Sequence, residues 1–233
     1  HLRSGHPHEC ARQCAGDRAV SARRAFLRDR RGASAAEFAM VLPLALLLMF
    51  GLFDVGRYAW TLAQLEKAAQ MGARYAVATA VVPNGLNTYE TIGLSCPGGV
   101  LEAGDRICRE ALGAIRCTGS GSSASCACAR TPCPDLGTAN SAAFHNIVAR
   151  MRVSSPVLRA DNVTITYSGS GIGYAGDPAV DDAGDPLSDI APLVTVEVHG
   201  ISLRTLTLFG GTVALPPVRS TLTLEDGDGA KAT

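Results

Sequence analysis

At 233 residues the chain is long enough for one full domain, or for a smaller domain with an anchor and a tail. Hydrophobic residues make up 47% against 5% aromatic and 18% charged, an apolar balance for a soluble protein, carried by Ala, Leu and Val rather than core aromatics. Net charge is zero but unevenly spread: eight arginines up to Arg31 face Glu9, Asp17 and Asp29 for a local +5, leaving −5 on the rest. With no aromatics interleaved, that basic head is a topology signal and not a nucleic-acid footprint.

The first residue is His1 rather than Met, so the chain reads as a fragment, a processed form or an expression product, and residues 1–20 carry no expectation of native structure. His6, His8, Cys10 and Cys14 have zinc-ligand chemistry. They sit in a basic leader, residues 1–32, ahead of the apolar segment, and accidental or vestigial leader sequence is the preferred reading.

From Phe38 to Phe53 sixteen residues, FAMVLPLALLLMFGLF, carry no charge. Counted from Ala33, such a helix is roughly 30 Å long, one bilayer core. Its Leu, Val and Phe residues contribute about −3 to −6 kcal/mol to insertion, which offsets Pro43 and Gly51. The arginines before it hold the N-terminal side in the cytoplasm and send the bulk of the chain across, with Tyr58 and Trp60 at the far interface. A buried core helix is the weaker alternative. A cleaved secretory signal would need a shorter run with a small-x-small site directly after it, whereas Asp54, Gly56 and Arg57 lead into more helix. From Thr61 to Ala80 no proline interrupts, and Leu62, Leu65, Ala69, Gly72 and Ala76 form one small-residue face suited to close packing. Pro83-Asn84-Gly85 is a stop. The spacing predicts one helix of about 45 residues from near Ala36, half in lipid and half projecting outward, within a segment 33–82.

The junction reads Arg30-Arg31-Gly32-Ala33-Ser34-Ala35-Ala36-Glu37-Phe38. Glu37 lies inside the apolar helix, where an ionised carboxylate is costly unless paired; the plainer reading is that it snorkels to the headgroups or stays protonated. A basic leader, a glycine, and a glutamate five residues on before an apolar helix together resemble a type IV prepilin peptidase site. That resemblance implies cutting between Gly32 and Ala33 on the cytoplasmic side, with the helix kept and Glu37 meeting the new Ala33 amine of a neighbouring subunit. The longer stretch Gly32–Arg57, through Glu37-Phe38, Leu42-Pro43, Gly51, Phe53-Asp54 and Gly56-Arg57, resembles the N-terminal domain of the TadE-like family, minor pilin-like proteins of the tight-adherence (Flp) pilus system. It implies a single-pass protein of the bacterial inner membrane. Its implied partners are the lipid bilayer, other pilin-like subunits, the pilus assembly machinery and a prepilin peptidase.

Six cysteines, Cys96, Cys108, Cys117, Cys126, Cys128 and Cys133, fall within the segment 83–155 on the exported side. An even count in an oxidising compartment points to as many as three disulfides, whose pairing the sequence leaves open. Zinc is the weaker alternative, since Cys126-x-Cys128-x4-Cys133 lacks paired C-x2-C spacing. The Gly/Ser-rich run 119–125 cannot build a core of its own. Helices are expected over Arg106–Cys117, with Ile107, Ala111, Leu112 and Ile115 on one face, and over Ser141–Met151, with Phe144, Ile147, Val148 and Met151. His145 falls off that second face and reads as solvated rather than catalytic.

After Ser155-Pro156 the apolar period changes to two. Val163–Tyr167, Leu193–Val198 and Thr221–Leu224 read as strands, and less distinctly Leu206–Phe209 and Thr212–Leu215, with turns at Gly169–Gly173 and Pro192. Residues 156–225 are expected to form a small antiparallel sheet against the outer part of the long helix, an α+β fold with a Cys-rich loop region, and 226–233 a frayed tail. Asp177, Asp181, Asp182, Asp185 and Asp189 crowd one loop; their spacing fits no EF-hand, and a solvated loop is preferred to calcium. No G-x-S-x-G, H-E-x-x-H or P-loop spacing occurs, and only His145 and His199 follow the anchor, so neither an enzyme nor a cofactor is expected. The alternative to a pilus role is a membrane-tethered binding module or adhesin that keeps its leader and presents the Cys-rich loop.

Overall fold

The computed structural model describes residues 31–177, 188–206 and 211–225. Two compact units divide between Asp54 and Val55, a point inside the first helix, α1 (Arg31–Ala76, 46 residues). The first unit consists, among the described residues, of the opening half of α1. Every side chain from Ser34 to Phe50 is exposed there, and Pro43 lies within the helix without ending it. The helix starts before Ala36 and stops at Ala76 rather than Ala80. Its end falls where β-branched Val77, Thr79, Val81 and Val82 follow one another, and the Thr79 hydroxyl donates back to the Tyr75 carbonyl at 2.8 Å. Stiff side chains and a competing hydroxyl both weaken continued helix.

The second unit buries the small-residue face of α1: Leu65, Ala68, Ala69, Ala73 and Ala76 are at most 1% exposed. Chain order then gives a small hairpin, β1 (Ser95–Cys96) and β2 (Gly99–Val100), a 3-10 turn at Arg109–Ala111, and the longer hairpin β3 (Ala114–Ser120) and β4 (Ser123–Arg130). Helix α2 (Ser141–Arg152) follows, then β5 (Val163–Ser168), β6 (Leu193–Val198), β7 (Ser202–Arg204), β8 (Thr212–Ala214) and β9 (Val218–Thr223). Five strands make one antiparallel sheet in the order β4-β3-β5-β6-β9, while β7 and β8 pair separately. The fold class is α+β.

Register explains the core. Cys126, Cys117, Ile165 and Val196 stand opposite one another across four strands, and Ile115, Tyr167 and Val194 form the next row. All but Cys126 are fully buried, because alternate residues of a strand share a face. Helix α1 meets that face at Gly72, where a Cβ would lie 2.7 Å from the Met151 side chain and 3.3 Å from Val196 Cγ1. Only glycine allows so close an approach without displacement. Helix α2 rests on β3 and β4. Asn140 caps its first turn by accepting from the Ala143 N–H at 2.9 Å, and the Ser141 hydroxyl accepts from the Ala124 N–H at 2.9 Å. As the periodicity predicts, Phe144, Ile147, Val148 and Met151 are buried, together with Ala143.

The helix expected over Arg106–Cys117 does not form. Ile107, Ala111, Leu112 and Ile115 are buried, but from a 3-10 turn and a strand. Gly113 decides this. A Cβ there would collide with the Arg130 carbonyl, and its own N–H donates to Pro132 O at 2.6 Å. The chain therefore turns at Gly113 into β3, whose burial alternates. The Gly/Ser-rich run is likewise no loop, since it lies in the β3–β4 hairpin. Strand β9 begins at Val218, earlier than expected, because its pairing with β6 runs on to Val198. Most of the strand expected over Leu206–Phe209 and all of the tail 226–233 lie outside the described residues.

Candidate functional site

Gly32 and Ala33 lie in the first turn of α1, and Glu37 follows Ala33 by one helical turn. The Glu37 side chain is exposed. Among the described residues it has no hydrogen-bond or ion-pair partner. Around and beyond it the surface is large and apolar, with Phe38 at 64% and Met40 at 81% exposure, and no described residue of the first unit covers it. Among the described residues α1 is the one helix long and apolar enough to cross a membrane, with a mean hydropathy of 2.3 over its most apolar stretch and none of that stretch buried. A carboxylate at the head of such a helix is tolerated at a headgroup boundary or beside a cation.

Residues 32–74 match the TadE-like protein family. No curated protein and no solved structure matches the chain. The TadE-like segment starts at Gly32 and ends within the last turn of α1, so the match rests on this helix alone and takes in the apolar run and most of the small-residue face. TadE-like proteins have a structural, pilus-associated role in the Tad/Flp system and are not known as enzymes. Together, the TadE-like segment and the uncovered apolar helix point to a membrane-anchored protein.

The sheet-forming unit places the remaining candidates. The six cysteines form three pairs at disulfide distance: Cys96 with Cys108, Cys117 with Cys126 and Cys128 with Cys133, with Cα separations of 5.9, 4.1 and 6.0 Å. The first ties the β1–β2 hairpin to the chain before the 3-10 turn, the second crosses β3 and β4 at directly opposed residues, and the third fastens the end of β4 to the following loop. No cluster of three His, Cys, Asp or Glu suited to a metal occurs among the described residues.

The acidic loop is only partly described: Asp181, Asp182 and Asp185 lie outside the described residues, and Asp177 is exposed. Asp189 departs from the expected solvated loop. Its Oδ2 accepts from the Thr91 N–H at 3.2 Å, the Thr91 hydroxyl at 2.6 Å and the Gly176 N–H at 2.9 Å, pinning two loops together. Its nearness to the buried Ile190 was the available signal. Its negative charge, together with the larger effect of burial, pushes the Tyr89 phenol above its ordinary range. Tyr89 donates to Ala111 O at 2.8 Å. Tyr167, fully buried, is also pushed well upward by burial, partly opposed by the Val82 N–H that it accepts at 3.2 Å. His145 is half-buried rather than solvated, and its Nε2 is buried without a partner. His199 lies 3.0 Å from the Thr164 hydroxyl.

Proposed function

We propose that the chain is a minor pilin-like subunit that takes part in assembling a Tad/Flp pilus. In this reading it sits in the bacterial inner membrane with its N-terminus in the cytoplasm and its cysteine-bearing unit outside, where the three pairs are oxidised. A prepilin peptidase adds water across the Gly32–Ala33 amide, leaving a carboxylate on Gly32 and an ammonium on Ala33. Glu37, unpartnered within its own described chain, then offers its carboxylate to such an ammonium on a neighbouring subunit, in a medium where an unpaired charge is costly. The observation that carries the reading is the coincidence of the TadE-like match with a helix whose first half is apolar and uncovered among the described residues. The small-residue face of the second half already holds the chain's own sheet, so contacts with other subunits' helices fall to the apolar half.

The test is the mature N-terminus, by intact mass and N-terminal sequencing after co-expression with the cognate prepilin peptidase. A start at Ala33 is expected, with Glu37→Ala leaving cleavage intact and abolishing incorporation into pili. An uncut leader overturns the processing step and favours the tethered binding module.

A further inference from the structure

A cleft of about 630 Å³ opens between the turn of the β3–β4 hairpin, helix α2 and the loop after that helix. Gly121 lies on the hairpin side, His145, Val148 and Arg152 on the helix, and Val157 and Arg159 on the loop. This is the size range of sites for small molecules.

The charge here runs against its surroundings. From Ala33 onward acidic residues outnumber basic ones, yet residues 141–160 hold Arg150, Arg152 and Arg159 and no Asp or Glu. Neither Arg152 nor Arg159 forms an ion pair among the described residues. A cation in the last turn of α2 is favoured by the helix dipole, which accounts for Arg152. It does not account for Arg159, brought to the same cleft by a separate loop. Like charges lining one concavity raise its potential and concentrate counter-ions. Guanidinium groups match carboxylate and phosphate oxygens in geometry as well as charge.

We infer that this cleft binds a compact oxyanion, a carboxylate or phosphate group on a small saturated body, with Arg152 and Arg159 as its ligands and Val148 and Val157 against the body. His145 is the only aromatic ring among the lining residues, which leaves little room for stacking on an aromatic ligand. This site stands apart from the pilus reading.

The full chain in uncharged detergent micelles is titrated at fixed ionic strength with inorganic phosphate and, separately, with glucuronate, following the His145 ring resonances. Saturable shifts are expected with at least one probe. Tighter glucuronate binding assigns the anion to a sugar acid, and tighter phosphate binding assigns it to a phosphate group. Arg152→Gln and Arg159→Gln each weaken binding roughly tenfold. Arg159→Lys keeps the charge and protects the fold, but loses the forked contact and weakens binding severalfold. Arg150→Gln, in the same last turn but lining the groove on the other side with Arg74, leaves it unchanged. Shifts that never saturate with either probe, or an equal loss in Arg150→Gln, overturn the inference.

Discussion

The two halves of α1 solve burial in opposite ways. From Phe38 to Phe53 the residues are mostly large, apolar and exposed nearly all round, and no described residue covers them. From Leu65 to Ala76 the inward residues are small and fully buried, and Gly72 lets the helix come within contact of Met151 and Val196. Bulk serves where the solvent is fluid hydrocarbon, because transfer energy scales with apolar area. Smallness serves where the partner is a fixed sheet, because protein interiors tolerate little misfit. A single unbroken helix can thus be written in two residue alphabets, one for lipid and one for protein.

Breaking the first half has the largest expected effect. Leu44→Arg with Leu47→Arg puts two guanidiniums into the uncovered stretch at a cost of about 5–7 kcal/mol of insertion. The variant should leave the membrane fraction in alkaline extraction, while the sheet-bearing unit keeps its melting temperature. A fall in both would mean that the halves are not solved independently. Within the second unit, replacing Cys117 and Cys126 together by Ala removes the cross-strand pair and should cost about 2–4 kcal/mol, read as a lower thermal midpoint that added reductant no longer shifts as far. Gly72→Leu forces side-chain atoms into Met151 and Val196 and should cost about 1–3 kcal/mol by overpacking. Chemical denaturation would show it, and unchanged membrane association would sharpen the contrast.

The smallest effect is at Tyr167. Replacing it with Phe removes the acceptor for the Val82 N–H and should cost about 1 kcal/mol near neutral pH. Its alkaline behaviour is more telling. Burial raises the folded phenol above the unfolded value of 10.0, so above that pH the unfolded chain releases a proton that the folded chain retains. Stability is therefore full below pH 10, falls as the pH rises beyond it, and Tyr89 adds in the same direction. Tyr167→Phe should flatten that alkaline decline in a pH series of melting curves; an unchanged slope would place the titration elsewhere.

Where a pattern is local, it was legible in the sequence. Helix α1, helix α2 and strands β5 and β6 all announce themselves by period, since each buries one continuous face. Gly32, Ala33 and Glu37 form a constellation within a single helical turn or so, and nothing distant is needed to notice it. The hairpin β3–β4 was not legible. Ile107, Ala111, Leu112 and Ile115 fit a helical face, and only the contact of Gly113 with Arg130 and Pro132 excludes one. The pairing of Cys117 with Cys126 depends on the same hairpin register. Asp189 likewise looked like one carboxylate in a wet loop until Thr91, far off in sequence, came to meet it.

The backbone bond from the Glu225 N–H to the Val77 carbonyl, 2.9 Å long, joins the second residue after β9 to the residue after α1. That closure sets an order of events during synthesis. Helix α1 is made first, and its small-residue face must wait for α2 and β6, whose Met151 and Val196 meet it at Gly72. The three cysteine pairs are separated by only 12, 9 and 5 residues, so each can close while that face still waits. The local hairpins can thus form early, and the join between the helix and the finished sheet comes last.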